Sequence, residues 1–217
     1  MQNRYYQGLL RSALLGRLKK QGKVEQVEEI YDETSLLKVA DNEGIKTHYF
    51  KRSNVLPRAQ KVMGFLRSIS FDSLLDVGSG RGAFLFPLLD AFCGVSVTSI
   101  DILDERVEFL QDIALGGGYD FNVEKANLCA YSPNKTFDVV TLLEVLEHIP
   151  DVKTAIRNAV NLSNEYIVVT VPSKADDNPE HIHLLTKEKL TNYFNECGVK
   201  SLSFDGVQGH LFMIARK

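Results

Sequence analysis

Three stretches of the sequence gather residues able to do chemistry. The first, Asp76-Val77-Gly78-Ser79-Gly80-Arg81-Gly82, follows an apolar run and precedes a helical pattern. Glycines there let the backbone approach a ligand closely, and the helix N-terminus contributes partial positive charge. Alone, the loop signals a nucleotide-like ligand. Asp101 closes the next apolar run, 19 residues past Gly82, near the spacing at which an acid accepts hydrogen bonds from both ribose hydroxyls. The second stretch is EVLEH, with Glu144, Glu147 and His148 directly after a later apolar run. In a doubly wound fold that is the edge of the sheet where ligands bind, and a helical turn would put all three side chains on one face. The third is PEHIH, in a turn-rich loop from Pro172 to His183 that reads as a rim or lid. His181 and His183 are candidate substrate contacts, although alternation lets only one of them face a pocket. His48 and His210 have no such neighbourhood and carry no assignment.

EVLEH supports three readings. In the plainest, Glu144 lines a ligand pocket and His148 holds the loop before Pro150 by hydrogen bonds. In the second, His148 is a general base oriented by Glu144; an unperturbed pKa near 6.5 suits it to taking a proton from a hydroxyl or amine. In the third, Glu144, Glu147 and His148 hold a divalent metal, completed by His181 or His183.

Charge bears on the ligand of the glycine loop. A dinucleotide presses its pyrophosphate on such a loop, normally spaced GxGxxG, whereas this one is GxGxG with carboxylate Asp76 two residues ahead. A carboxylate repels pyrophosphate but suits the ammonium of a methionine moiety. S-adenosylmethionine, phosphate-free and carrying a sulfonium cation, fits these residues.

At DVGSGRG the chain resembles the class I methyltransferases, whose first motif reads D-x-G-x-G-x-G. The resemblance extends over about residues 70–217, through the acid in SIDI, FDVVTLLEVLEHI and the end of the VTVPS strand. It implies an α/β, Rossmann-like three-layer sandwich with a seven-stranded, mostly parallel sheet in the order 3214576, ending in an antiparallel hairpin. It further implies that Asp76, Gly78 and Gly80, with Ser79 in the same loop, hold the methionine end of S-adenosylmethionine. Asp101 would hold the ribose, Ile102 one face of the adenine, and Asn127 and Leu128 its edge. The product would be S-adenosylhomocysteine, formed by in-line displacement onto an oxygen, nitrogen or carbon of a small-molecule acceptor. Methyltransferases of the 3'-terminal ribose of small RNAs, and some quinone-pathway O-methyltransferases, also carry an E-x-x-E-H cluster with a divalent ion. That resemblance makes Glu144, Glu147, His148 and His181 the alternative metal set and RNA the alternative acceptor. A protein that binds S-adenosylmethionine without catalysis, and a dinucleotide oxidoreductase, are the remaining alternatives.

Five apolar runs position these residues: SLLDV, Val95 to Ile100, FNVEKA, FDVVTLL and EYIVVTV, alternating with helix-length segments as in a parallel sheet covered on both faces. Thr186 is placed to cap a helix that closes at Gly198, followed by strands VKSLSF and HLFMIAR. Ahead of them, Leu9, Leu10, Ala13, Leu14 and Leu18 make residues 1–20 a basic amphipathic helix, expected to lie on the body or on an anionic surface. SLLKVADNEGIKTHYF (35–50) reads as two short strands about an Asn-Glu-Gly turn, and Leu56 to Ile69 as a helix started by Pro57. Residues 1–70 thus form a helical and hairpin cap, and 71–217 the ligand-binding domain. The cap carries 13 Lys or Arg against 7 Asp or Glu, and the domain 12 against 21, an acidic balance that disfavours nucleic acid as partner. With 217 residues, 44% of them hydrophobic, the chain can bury one substantial core. No apolar run is long enough to span a bilayer, and no secretory leader is evident, so a soluble, cytoplasmic protein is expected. Cys93, Cys129 and Cys197 form no CxxC pair and suit a reducing compartment as structural thiols.

Overall fold

The computed structural model describes residues 4–23, 33–50 and 55–217. Its sheet comprises β1 (Ser73–Val77), β2 (Ser96–Asp101), β3 (Asn122–Lys125), β4 (Phe137–Leu143), β5 (Ser163–Pro172), β6 (Ser201–Val207) and β7 (His210–Arg216). The order is β3-β2-β1-β4-β5-β7-β6; β1 to β5 are parallel and β7 runs antiparallel between β5 and β6. This is the architecture the resemblance implied.

Strand side chains alternate between the faces of the sheet, so each central strand feeds two cores. Leu74, Val97, Val139, Val168 and Phe212 join one apolar cluster, and their neighbours Leu75, Ile100, Val140, Val169 and Met213 the other. Helices α4 (Leu85–Ala91) and α5 (Asp104–Leu115) cover the first face. Helices α6 (Val152–Leu162) and α7 (Lys187–Glu196) cover the second. Thr186 caps α7 by accepting from the Lys189 amide, and Gly198 follows its end with φ 83°. Parallel strands start at the same end, so Val77, Asp101 and Leu143 finish at one edge, where the glycine loop and EVLEH emerge.

The N-terminal helix α1 (Arg4–Lys20) lies on α5 with Leu10, Leu14 and Leu18 fully buried. Gly16 allows the close approach: a Cβ there would stand 1.8 Å from the Asp112 carbonyl oxygen. Arg17 and Lys20 pair with the buried Asp112 carboxylate at 2.7 and 2.6 Å. Part of the basic character of α1 is therefore spent inside the molecule.

The expected hairpin at 35–50 is not formed. Residues Glu33–Asn42 are helix α2 and Thr47–Phe50 a single 3-10 turn. Leu36 and Ala40, four apart, are buried on one face, a helical spacing that outweighs the imperfect alternation. Gly44, read as a strand turn, ends the helix instead. It has φ 71°, its amide bonds to Asp41 and that of Ile45 to Ala40, the two bonds of a Schellman cap. Helix α3 (Pro57–Leu66) begins at Pro57 as expected. Among the described residues no helix is long and apolar enough to cross a membrane.

Candidate active site

A cleft of about 860 Å³ opens at the carboxyl edge of β1, β2 and β4. Gly78, Gly80, Asp101, Ile102, Asn127 and Leu128 line it, six of the eight residues the resemblance assigned to the donor. Ile102 offers an apolar side chain that is 58% exposed, and Asn127 is turned to its own backbone, accepting from the Cys129 amide at 3.0 Å.

The other two, Asp76 and Ser79, lie behind the loop and brace it. Asp76 is buried; one carboxylate oxygen accepts from Thr141 Oγ1 at 2.7 Å and the other from Ser79 Oγ at 2.5 Å, while Ser99 Oγ donates to Ser79. Burial pushes the Asp76 acid up to about 6, the hydroxyl bonds from Ser79 and Thr141 pull it back, and the Asp101 charge adds to the rise. Asp101 ties the loop to the next turn: Oδ2 accepts from the Gly80 amide and Oδ1 from the Leu103 amide, both at 3.0 Å. Each of its oxygens keeps a lone pair free for a ribose hydroxyl.

The glycine amides of the loop bear on the choice between the two ligand classes. Gly78 N–H donates to Ile100 O, Gly80 N–H to Asp101 and Gly82 N–H to Ser79 O, so all three are spent internally. A loop that cradles pyrophosphate offers its amides outward. Here the glycine amides are turned inward and the cleft presents the Asp101 and Glu144 carboxylates and apolar surface alongside Arg106, which fits the phosphate-free donor. Gly78, at φ 67°, also has to be glycine for space, because a Cβ would meet Val145 Cγ2 at 2.6 Å.

EVLEH does not align its three polar side chains on one face. Glu144 takes φ 59°, a left-handed conformation costly for a residue with a Cβ, before the 3-10 turn Leu146–His148. The reversal sends its carboxylate toward β5 and β7. Oε1 accepts from Thr170 Oγ1 and Oε2 pairs with His210 Nε2, each at 2.9 Å. Glu144 therefore does not orient His148. That role falls to the Glu180 carbonyl, 3.0 Å from His148 Nδ1, which sets a proton on Nδ1 and leaves Nε2 as the lone-pair nitrogen. His148 and Glu144 both line the cleft.

A second cavity, of about 320 Å³, adjoins the first through Glu144 and is lined also by Ser173, Lys174, Asp176, His181 and His210. His181, one of the two expected substrate contacts, lines this cavity. His183 does not: its Nε2 rests against the carbonyls of Ile149 and Pro150, at 3.1 and 3.3 Å, pinning the loop after β5 to the loop after β4. Neighbours of alternating orientation cannot both face the pocket, and His181 takes that side.

Of the alternative metal set, Glu147, His148 and His181 bring a ligand atom each within 4.8 Å of one another, and Glu144 stands apart with its oxygens already engaged. Among the described residues, neither oxygen of the fully buried Glu147 carboxylate has a hydrogen-bond partner. Burial first, then the charges of Glu144 and Asp176, push its acid up to about 8, while its backbone amide and Arg58 pull down. His181 Nδ1 faces the Asp176 carboxylate at 2.8 Å, so each histidine has Nδ1 held by a partner and Nε2 left as the candidate ligand nitrogen. An orphaned buried carboxylate beside two such imidazoles is a donor set that fits a divalent cation.

His210 had no assignment from the sequence. The signal was topological: β7 pairs antiparallel with β5, and the register sets His210 opposite Pro172, at the edge where ligands bind.

Comparisons with known proteins agree with this geometry. A family model described as a methyltransferase domain matches residues 12–203. The chain belongs to the methyltransferase-domain family. A ubiquinone biosynthesis O-methyltransferase of Rickettsia canadensis is 36% identical over 101 residues, 46% of this chain and 42% of that protein. The chain thus matches less than half the length of such relatives. The N-terminal domain of EvdMO1 with S-adenosylhomocysteine bound superposes with a TM-score of 0.64 at 14% identity, covering 86% of this chain and 98% of that one. The magnesium protoporphyrin IX methyltransferase of Synechocystis PCC 6803, with S-adenosylmethionine bound, gives 0.60 at 16% identity, over 87% and 99%. The fold is that of the class I methyltransferases.

Proposed function

We propose that this chain transfers a methyl group from S-adenosylmethionine to a hydroxyl oxygen of a small acceptor. The observation that carries the donor assignment is the loop whose glycine amides are consumed internally while Asp101 keeps acceptor capacity at the cleft. The names of the curated relatives support oxygen as the nucleophile. The acidic balance of residues 71–217 supports a small molecule over nucleic acid.

Bound in the cleft, S-adenosylmethionine supplies an electrophilic sulfonium methyl, and S-adenosylhomocysteine and one proton are the co-products. Asp101 holds the ribose and keeps the glycine loop shaped; Ile102 and Leu103 cover the adenine. His148 Nε2, its tautomer fixed by Glu180, takes the hydroxyl proton as the oxygen becomes nucleophilic, a task worth about 10²- to 10⁴-fold. The remaining acceleration comes from aligning that oxygen with the methyl carbon. The described part of residues 1–70 would act on this cleft from beside the glycine loop. Supporting that, the Tyr49 ring lies 4.0 Å from the Arg81 guanidinium of the glycine loop, and Arg58 of α3 acts on the charge of Glu147.

Calorimetric titration with S-adenosylhomocysteine, with NADH as control ligand, tests the reading. Saturable binding of the former is expected; no binding, or binding of NADH in its place, overturns it.

A second reading rests on Glu147. A divalent cation held by Glu147, His148 and His181 would lower the pKa of a coordinated acceptor hydroxyl. Metal analysis of the purified protein should then return one equivalent that Glu147→Gln loses. A metal-free protein with full activity in chelator removes this reading and leaves the first intact.

A further inference from the structure

Asn158 takes no part in the mechanism above and lines neither cavity, yet both protons of its side-chain amide are committed. It stands in the middle of α6, where asparagine is a poor helix former, and its neighbours Ala155, Ile156 and Ala159 are buried. From this half-buried position its Nδ2 donates to the Leu128 carbonyl at 2.5 Å and to the Tyr131 carbonyl at 2.7 Å. Two carbonyls at those distances fix the nitrogen there, since the amide oxygen would meet lone pairs on both sides.

The two carbonyls bracket the single 3-10 turn Leu128–Ala130, which holds itself poorly. Its Ala130 amide reaches Asn127 O at 2.9 Å, but the Tyr131 amide reaches Leu128 O only at 3.4 Å. Other ties also come from outside the turn. The Tyr131 hydroxyl donates to Glu124 Oε2 at 3.0 Å, and Cys129 Sγ lies 3.7 Å from the Asp151 carbonyl, just ahead of α6. Asn127, Leu128 and Cys129 line the large cleft. Asn127 spends its side-chain oxygen on the Cys129 amide, and among the described residues nothing accepts from its Nδ2.

We infer that Asn158 is a positioning residue, holding this turn from α6 so that Asn127 Nδ2 donates to N1 of adenine and the cleft selects the base of its donor. The inference rests on the methyltransferase reading and deepens it, adding a choice among bases to the grip of the glycine loop and Asp101 on the rest of the ligand. N1 of adenine is an acceptor. In hypoxanthine N1 carries a hydrogen, so the same contact sets donor against donor, a mismatch that a built polar site penalises. The penalty operates only while the turn is held in place, because a loose turn moves aside or admits water.

The test titrates the full chain with S-adenosylhomocysteine and with S-inosylhomocysteine, which differs only in the base. The unaltered protein should bind the adenine compound about tenfold or more tightly. Asn158→Ala suits the helix and should bring the two within about threefold by weakening S-adenosylhomocysteine. Its retained affinity for S-inosylhomocysteine shows that the variant is folded. Asn158→Asp keeps the shape of the side chain and loses both donors, so it should match the alanine variant; a role in packing alone predicts the selectivity of the unaltered protein. Equal binding of the two compounds by the unaltered protein, a preference untouched by Asn158→Ala, or a preference kept by Asn158→Asp overturns the inference with the methyltransferase reading standing. Failure of S-adenosylhomocysteine to bind the unaltered protein removes that reading, and the inference with it.

Discussion

On the proposed function, the donor and acceptor halves of the cleft are wired over different distances along the chain. On the donor side, Ser79 bonds Asp76 three residues away, Gly80 bonds Asp101, and Asp101 bonds Leu103, all within one strand-loop-helix-strand unit. Among the described residues, Thr141, 65 residues from Asp76, joins that network from outside the unit. On the acceptor side Glu144 reaches Thr170 on β5 and His210 on β7, and His148 reaches Glu180 in the loop between β5 and α7. The first half can be shaped by a short motif wherever the sheet puts it. The second exists only when four separate segments have packed. Recognition of the shared ligand therefore travels with the motif, while recognition of the acceptor depends on loops and on the terminal hairpin.

If the division is real, substitutions on one side should leave the other unaffected. The largest effect is expected from His148→Asn, whose amide can replace Nδ1–H at Glu180 but has no Nε2. Turnover of a phenolic probe acceptor should fall by about 10²- to 10⁴-fold with S-adenosylhomocysteine affinity unchanged. A parallel loss of donor binding would mean that the halves are not separable.

Next in size is a pH effect confined to the donor side. Burial holds the Asp76 acid near 6 against 3.8 in the unfolded chain, so the folded state binds this proton more tightly. The stabilisation is complete below pH 3.8 and is lost as pH rises through 6, on the order of 3 kcal/mol for the full shift. Asp76→Asn cannot ionise. Urea midpoints of the two proteins, compared between pH 4 and pH 7, should therefore diverge in favour of the variant as pH rises. A constant difference would show that Asp76 does not titrate in this range.

Asp101→Ala should then weaken S-adenosylhomocysteine by about tenfold to a hundredfold, since it removes both the ribose acceptor and the staple on Gly80. The His148–Glu180 contact should be untouched, visible as an unchanged His148 ring signal in a proton–nitrogen NMR spectrum.

The same contrast explains which parts of the molecule were legible in sequence. The apolar runs SLLDV and FDVVTLL are buried on both faces and bounded by turns, so their strands follow from composition alone. The glycine loop and Asp101 are close in sequence, and their partners are set by spacing. Glu144 and His148 were legible as residues of the cleft edge but not in their pairing, because the left-handed turn at Glu144 is fixed by bonds to Thr170 and His210 that no local pattern encodes. Gly44 failed for another reason: a glycine with positive φ serves a hairpin or a helix end equally well, and the buried pair Leu36 and Ala40 decides for the helix. Asp76 was legible as a carboxylate near the ligand, but its direction is not, since Thr141 comes from a strand 65 residues later.

The smallest effect tests whether the cap belongs to the donor side. Tyr49 is the contact between the 3-10 turn of residues 47–50 and the glycine loop, with the Arg81 guanidinium 4.0 Å from its ring centroid and Phe109 of α5 at its edge. Tyr49→Leu keeps apolar bulk against Phe109 and removes the π-face. Arg81 sits between Gly80 and Gly82, so a looser guanidinium should loosen the loop, and S-adenosylhomocysteine should bind about two- to fivefold more weakly. The same substitution in an Arg81→Met background should then have almost no effect, because the partner is already gone. If Tyr49→Leu changes turnover of the probe acceptor while donor affinity stays constant, the 3-10 turn serves the acceptor. The boundary between the two halves would then run through the cap rather than along the sheet edge.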